Sequence, residues 1–540
     1  MFKSLLAGVS LAAACWQAAG QETTVSLVVR PRTPFNITRD DVRQLRHLAS
    51  GVGWEFEPNA ATTAALKRIG IKTIRCINVD PLPGYFEDGS GRFVVGQPDR
   101  LQAHLETCRA VGANPHIIIA TGLHPDLRVQ VEDVKHLGES VMGLVPSGVY
   151  GPKDWTKFQA YCRAYFEYVL LKQGFRQAKF EVANEPDVGG AMCPLPPRPP
   201  MGSQALYDTY FTLYKNVAQA ARQFEQEHPG VKVRLGGPAL AWAFTFRFGD
   251  FNWAERFLQD CRREKLKLDF IGVHYYGNLG SLHGEYEGSF PSFDEMLRFT
   301  LAARDRYCPG VPLQITEWGA SYQTTNEPSA AVNANHIGAA WGAAFLNAML
   351  EGGVESALYL VTTDLRQERD GKWENVWGWP SLFLNPHVAG GTIPKAPFHT
   401  LDMVSRLVGK RVAVTGESKH LRAFASADAR RRRMTVLLWN YGYRIPEAAV
   451  GTEEAPPAQV VLRVEDAARL FGRAGTAMER WQVDAETSNA HALFLKGERP
   501  DARAELQRVA AGEVALDGSA LTVSFPMPPS SVCLLTLQGR

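Results

Sequence analysis

From about residue 48 to residue 362, short apolar runs alternate with stretches whose apolar positions recur at helical spacing. The runs Gly51 to Phe56, Lys72 to Val79, Asn114 to Ala120, Lys179 to Asn184, Lys232 to Gly237, Asp269 to His274, Leu313 to Glu317 and Ser356 to Val361 read as strands. Between them, Phe158, Cys162, Tyr165, Phe166, Val169 and Leu170 fall at i, i+3, i+4 intervals and predict a helix over 155–171. Strands alternating with amphipathic helices are the signature of a parallel α/β domain, and eight such units in roughly 330 residues fit a closed barrel better than an open sheet. The long turn-rich segments Thr121 to Pro152, Pro186 to Gly202, Gly277 to Pro291 and Thr363 to Pro394 all follow strand C-termini. That is the face where such barrels carry their sites, and long loops on one face predict a walled pocket.

After Lys410 the helical period stops. Alternating runs at Leu421 to Ser426, Met434 to Tyr441, Gln459 to Val464, Arg480 to Val483, Ala520 to Phe525 and Ser531 to Leu537 predict a β-sandwich. The expected organisation is therefore a leader at 1–20, an N-terminal segment at 21–47, a (β/α)8 TIM barrel at 48–409 and a C-terminal β-sandwich at 410–540. The run Thr23 to Arg30 has no barrel role and is available to the sandwich as a strand. Residues 465–475 and 488–495 carry mixed signals and receive no assignment.

Composition changes this picture little. With 45% hydrophobic and 21% charged residues among 540, and a net charge of +2, the chain has the makeup of a globular protein. Its one dense basic run, Arg430 to Arg433, reads as a solvated strand edge, so no nucleic-acid partner is expected. Lys3, the small apolar run Leu5 to Ala14 and the Ala18-Ala19-Gly20 site together read as an export signal, with Cys15 as an alternative lipid-anchor site. The expected location is periplasmic or extracellular. No stretch is long and apolar enough to span a bilayer once the leader is removed. Eight cysteines lack Cys-x-x-Cys spacing and the thirteen histidines show no His-x-His cluster, so neither a metal nor another cofactor is expected. Gly51-Val52-Gly53 lacks the further glycines of a dinucleotide loop.

Two strands end abruptly in a glutamate: Lys179-Phe180-Glu181-Val182-Ala183-Asn184-Glu185-Pro186 and Leu313-Gln314-Ile315-Thr316-Glu317-Trp318-Gly319. Pro186 removes a ladder donor and ends the pairing, which leaves Glu185 at a strand mouth. Cleavage of a glycosidic bond needs one protonated and one ionised carboxyl group, and Glu185 with Glu317 supplies such a pair. Asn184 can bond a sugar hydroxyl, and Trp318 offers a flat apolar face. Trp377 and Trp379, in a Gly/Pro-rich loop after strand eight, are candidates for stacking on a pyranose ring. His116, on strand three, either lines the pocket or is a core histidine. A non-catalytic carbohydrate-binding protein would tolerate loss of either glutamate, and both are present.

These residues resemble the retaining glycosidases of clan A. The Phe180-Glu181-Val182-x-Asn184-Glu185-Pro186-Asp187 run and the Met434 to Tyr441 strand are most similar to glycoside hydrolase family 39, and Asp269 to Tyr276 is similar to the clan's sixth strand. The resemblance implies an acid/base role for Glu185, a nucleophilic role for Glu317 and a carbohydrate substrate. It also implies that Asn184 contacts the 2-hydroxyl, that Tyr276 or His274 orients Glu317, and that Arg75 keeps Glu317 ionised. The family's aromatic residue before Asn-Glu-Pro is replaced by Ala183, and its His-Gly-rich segment after strand two by Asn78-Val79-Asp80-Pro81. Both departures are expected near the sugar subsite, so the sugar's identity does not carry over.

Overall fold

The structure, a computed structural model, describes residues 23–53, 59–76, 81–120, 123–127, 152–188, 202–241, 252–278, 282, 292–325, 328–364, 366–369, 372–375, 377–385, 391–442 and 455–540. The leader, with Cys15, and Asn78 to Asp80 lie outside the described residues, as does most of each of the loops Thr121 to Pro152, Pro186 to Gly202 and Gly277 to Pro291.

Eight parallel strands close into a barrel, each paired with the next and the eighth with the first. In chain order they are Gly51–Gly53, Thr73–Cys76, Asn114–Ile119, Lys179–Val182, Arg234–Leu240, Phe270–Tyr276, Leu313–Gly319 and Ser356–Tyr359, called barrel strands one to eight below. All eight expected runs are present, and the fold is a TIM barrel followed by a β-sandwich. Closure explains the first strand's composition. A Cβ on Gly53 would lie 1.4 Å from the Leu360 carbonyl oxygen, and one on Gly51 would lie 2.2 Å from that of Ala357. Glycine is required there because two backbones meet.

The helices pack their apolar faces on the barrel. Helix Trp155–Phe166 buries Phe158, Tyr161, Cys162, Tyr165 and Phe166, then continues as a π-helical turn, Glu167–Lys172, that buries Val169 and Leu170. The Phe166 ring meets Phe180 of strand four edge-on, with centroids 4.9 Å apart. Phe180 and Val182 both belong to the apolar layer between barrel and helices. Side chains alternate along a strand, so Glu181 between them faces the barrel interior. Asn59, Asp154, Ser203, Asn252 and Ser292 each cap a helix by accepting a backbone N–H.

Ten strands form the second sheet, which is mostly antiparallel. The N-terminal strand Thr23–Pro34 lies inside it, antiparallel to Lys410–Thr415 and parallel to Ala458–Val464. Its Val25, Leu27 and Val29 alternate into the sandwich core. One strand, Gln507–Val514, has no alternating sequence signal because neither of its faces is buried. The two unassigned segments contain the short helices Ala467–Phe471 and Ala490–Leu495. The basic run is a correction: Asp428 pairs with Arg433, so residues 429–432 form a hairpin turn rather than a strand edge. No helix among the described residues is long and apolar enough to cross a membrane.

Candidate active site

At the C-terminal ends of strands three, four and five the backbone turns sharply. Ala120, Ala183, Glu185 and Ala239 all take left-handed φ values, of 69°, 62°, 48° and 54°. For residues with a Cβ this costs about 1–2 kcal/mol each, a strain that recurs where side chains must be aimed. The Glu185 N–H is held by the Ala239 carbonyl at 3.0 Å, which points its carboxyl over the barrel mouth. On strand seven the register against strand six shifts between Ile315 and Glu317, and this bulge sets Glu317 opposite His274.

Arg75 is the hub of the resulting cluster. It is 1% exposed and spends its donors on four partners. Nε lies 3.0 Å from Glu181 Oε2, Nη1 lies 2.7 Å from Glu317 Oε2, and Nη2 lies 2.7 Å from Asn184 Oδ1 and 3.2 Å from His274 Nε2. The Tyr276 hydroxyl donates to Glu317 Oε1. His274 Nδ1 lies 2.8 Å from Glu185 Oε1 and 3.7 Å from Glu317 Oε2. Tyr276 thus takes the Glu317-orienting position, and His274 is the partner of Glu185.

A guanidinium can only donate, so His274 Nε2 accepts and the neutral ring carries its proton on Nδ1. Burial favours that neutral form by lowering the imidazole pKa. His274 therefore donates to Glu185 Oε1 and leaves Oε2 to carry a carboxyl proton. Burial raises the Glu185 pKa to about 8, helped by the negative charge of Asp187 and opposed by Arg75. One oxygen each from Glu185 and Glu317 and a ring nitrogen of His274 lie within 4.8 Å of one another, a spacing that a metal ion could also use. A ligating His274 would have to bare Nδ1 and turn an N–H toward the Arg75 donors, so these groups fit a hydrogen-bonded pair better than a metal centre.

Several candidate residues are placed elsewhere. Trp318 follows Glu317 and so faces outward. It is 1% exposed and packs against Trp341, Phe345 and Tyr359 in the helix layer, not against a sugar. Trp377 packs on His491 of helix Ala490–Leu495, with centroids 4.6 Å apart, beside the sandwich. Trp379 is buried, and its carbonyl accepts from Lys395 Nζ at 2.9 Å. His116 is fully buried. Its Nε2 lies 3.3 Å from Glu181 Oε2 and its ring meets Phe270 edge-on, which removes it from the pocket lining. Ala183 also sits in the apolar layer, away from the sugar side. Two residues of this site had no role in the sequence reading. They are Glu181, whose alternation with Phe180 and Val182 marks it as inward, and Asp187, buried with Oδ1 accepting the Ala241 N–H at 3.0 Å.

Residues 168–496 match the family described as glycosyl hydrolases family 39. Among solved structures, the chain is similar to a GH39 enzyme from Xanthomonas axonopodis pv. citri, at 18% identity and TM-score 0.71 over 97% of this chain and 99% of that one. It is also similar to a monomeric beta-xylosidase from Caulobacter crescentus, at 18% identity and TM-score 0.67 over 96% and 100%. A bacterial orthologue of human α-L-iduronidase shares the fold at 14% identity and TM-score 0.64 over 96% and 84%. The structural likenesses speak for the fold and the family match spans more than half of the sequence, so the chain belongs to glycosyl hydrolases family 39 and is a glycosidase.

Proposed function

We propose that the protein is a retaining, exo-acting glycosidase that removes terminal neutral sugars by double displacement through Glu317 and Glu185. The observation that carries this reading is the approach of the two carboxylates within 4.8 Å. Retaining enzymes hold their carboxyls about 5–5.5 Å apart, whereas inverting ones need roughly 6.5–9.5 Å to admit a water. In the first half-reaction Glu317 attacks the anomeric carbon, the bond to the leaving oxygen breaks, and Glu185 Oε2 delivers its proton to that oxygen. In the second, Glu185 takes a proton from water, which attacks the same carbon and frees Glu317.

Two hydrogen bonds to Glu317 leave lone pairs for attack. Asn184 Oδ1 is occupied by Arg75, so its amide N–H groups are the ones offered to the 2-hydroxyl. Exo action is favoured by the long one-sided loops, and a β-xyloside is the first substrate to try, given the fold shared with beta-xylosidases. Xylosides, arabinosides and glucosides all belong in the trial. The leader-like N-terminus favours export. A panel of aryl glycosides tests the reading. Turnover of at least one is expected in the wild type and its loss in Glu317→Gln, with Glu185→Ala retaining most activity only on substrates with good leaving groups. Undiminished turnover by Glu317→Gln would remove the mechanism.

A further inference from the structure

We propose that Glu181 is a positioning residue, a permanent counter-ion that keeps Arg75 on Glu317 while the negative charge passes from Glu317 to Glu185 and back. The inference rests on the double-displacement reading above and adds a third carboxylate to it.

Glu181 cannot act on substrate directly, because it is 0% exposed and lies within strand four, before the strand-end Glu185. Its Oε2 lies 3.0 Å from Arg75 Nε and 2.9 Å from Arg75 Nη2, with His116 Nε2 3.3 Å away. The barrel provides a slot for this carboxylate. A Cβ on Gly272 of strand six would lie 2.1 Å from Glu181 Oε1 and 3.1 Å from Thr316 Oγ1, so the missing side chain leaves the space that Glu181 fills. Burial works against its charge, but the Arg75 guanidinium, with His116 and His274 beside it, outweighs burial and holds the carboxyl well below the usual range. Arg75 is likewise held charged against burial by Glu181 and Glu317 together.

The chemistry needs such a partner. In the free enzyme Glu317 is ionised and Glu185 protonated. In the glycosyl-enzyme Glu317 is a neutral ester and Glu185 is ionised, its proton gone with the leaving group. The total charge is unchanged, but Arg75 has lost one carboxylate partner just as a new carboxylate appears across the pocket. Without Glu181, the guanidinium would keep only the neutral Asn184 and His274 once Glu317 is esterified, and it would be drawn toward the Glu185 ion. The Glu181 bonds do not change through the cycle, so Arg75 stays aimed at Glu317, and the Glu181 charge opposes its field at Glu185.

The test is the ionisation of Glu185, read by isotope-edited NMR of side-chain carboxyl carbons, with Glu185→Gln to assign the resonance. In Glu181→Gln the Glu185 pKa is expected to fall by about one unit or more, and the basic limb of the kcat/KM profile to move with it. In Glu181→Asp, which keeps the charge, the pKa is expected to stay near the wild-type value even if kcat is reduced. This variant decides the matter if Glu181→Gln does not fold. An unchanged or raised Glu185 pKa in Glu181→Gln, or a fall in Glu181→Asp, overturns the proposal. The titration needs no turnover, so a wild type inactive on every glycoside would count against the proposed function and not against this role of Glu181.

Discussion

Burial acts on Glu181 and Glu185 alike, yet their pKa values move in opposite directions because their neighbours differ. Glu181 has Arg75 in direct contact, whereas Glu185 has a neutral His274 and the negative Asp187. The acid form of Glu185 is therefore expected to persist through neutral pH and to be lost as pH rises through about 8, giving kcat/KM a basic limb there. Asp187→Asn keeps an acceptor for the Ala241 N–H but removes the like charge. It should move that limb to lower pH by about one unit, and a limb that stays put would exclude Asp187 as its cause. Tyr276→Phe deletes the hydroxyl that donates to Glu317 Oε1. A hydrogen bond to a charged group is worth about 1.5–3 kcal/mol, so a loss of roughly ten- to a hundred-fold in kcat is expected, with a smaller change in KM.

At the scale of strands and loops, the two-residue alternation explains both what the sequence made legible and what it did not. The strand-end glutamates and Arg75 stood out because charged groups interrupt apolar runs. The same alternation places Trp318 outside if Glu317 is inside, and Glu181 inside if Phe180 is outside. Trp318→Ala is accordingly expected to lower stability by about 3–5 kcal/mol in denaturant unfolding. A KM effect without a stability loss would restore it to the pocket.

The placing of Trp377 and Trp379 depends on contacts that no local pattern carries. Lys395 Nζ donates to both of their carbonyls, at 2.7 and 2.9 Å, and pairs with Asp364 Oδ1 at 2.5 Å; Asn333 Nδ2 donates to the Gly378 carbonyl at 2.8 Å. Lys395 and Asp364 are fully buried, so Lys395→Met strands a carboxylate and should cost about 3–5 kcal/mol. The double variant with Asp364→Asn should recover part of that loss in the same unfolding measurement.

Across the whole molecule, the two domains share an N-terminal connection that linear reading saw only as a spare β-run. Thr23–Pro34 is an interior strand of the second sheet, and the first barrel helix, Asp41–Leu48, follows it directly. Arg411 of the sandwich stacks its guanidinium between Phe35 and Phe424, 3.6 and 4.7 Å from the ring centroids, and pairs with Asp41 and Glu351. A chain starting after Pro34 should leave two sandwich edges unpaired and elute as aggregate in gel filtration, whereas monodisperse protein would show the strand to be dispensable. The architecture as a whole has one chemical consequence, a nucleophilic glutamate held ready at the mouth of strand seven. The most direct measurement is mass spectrometry of the protein after reaction with an activated fluoroglycoside of the preferred sugar. One glycosyl adduct is expected, on the peptide containing Glu317 and absent from Glu317→Gln. Turnover of the unfluorinated glycoside to a product of inverted anomeric configuration, with no adduct on Glu317, would contradict it.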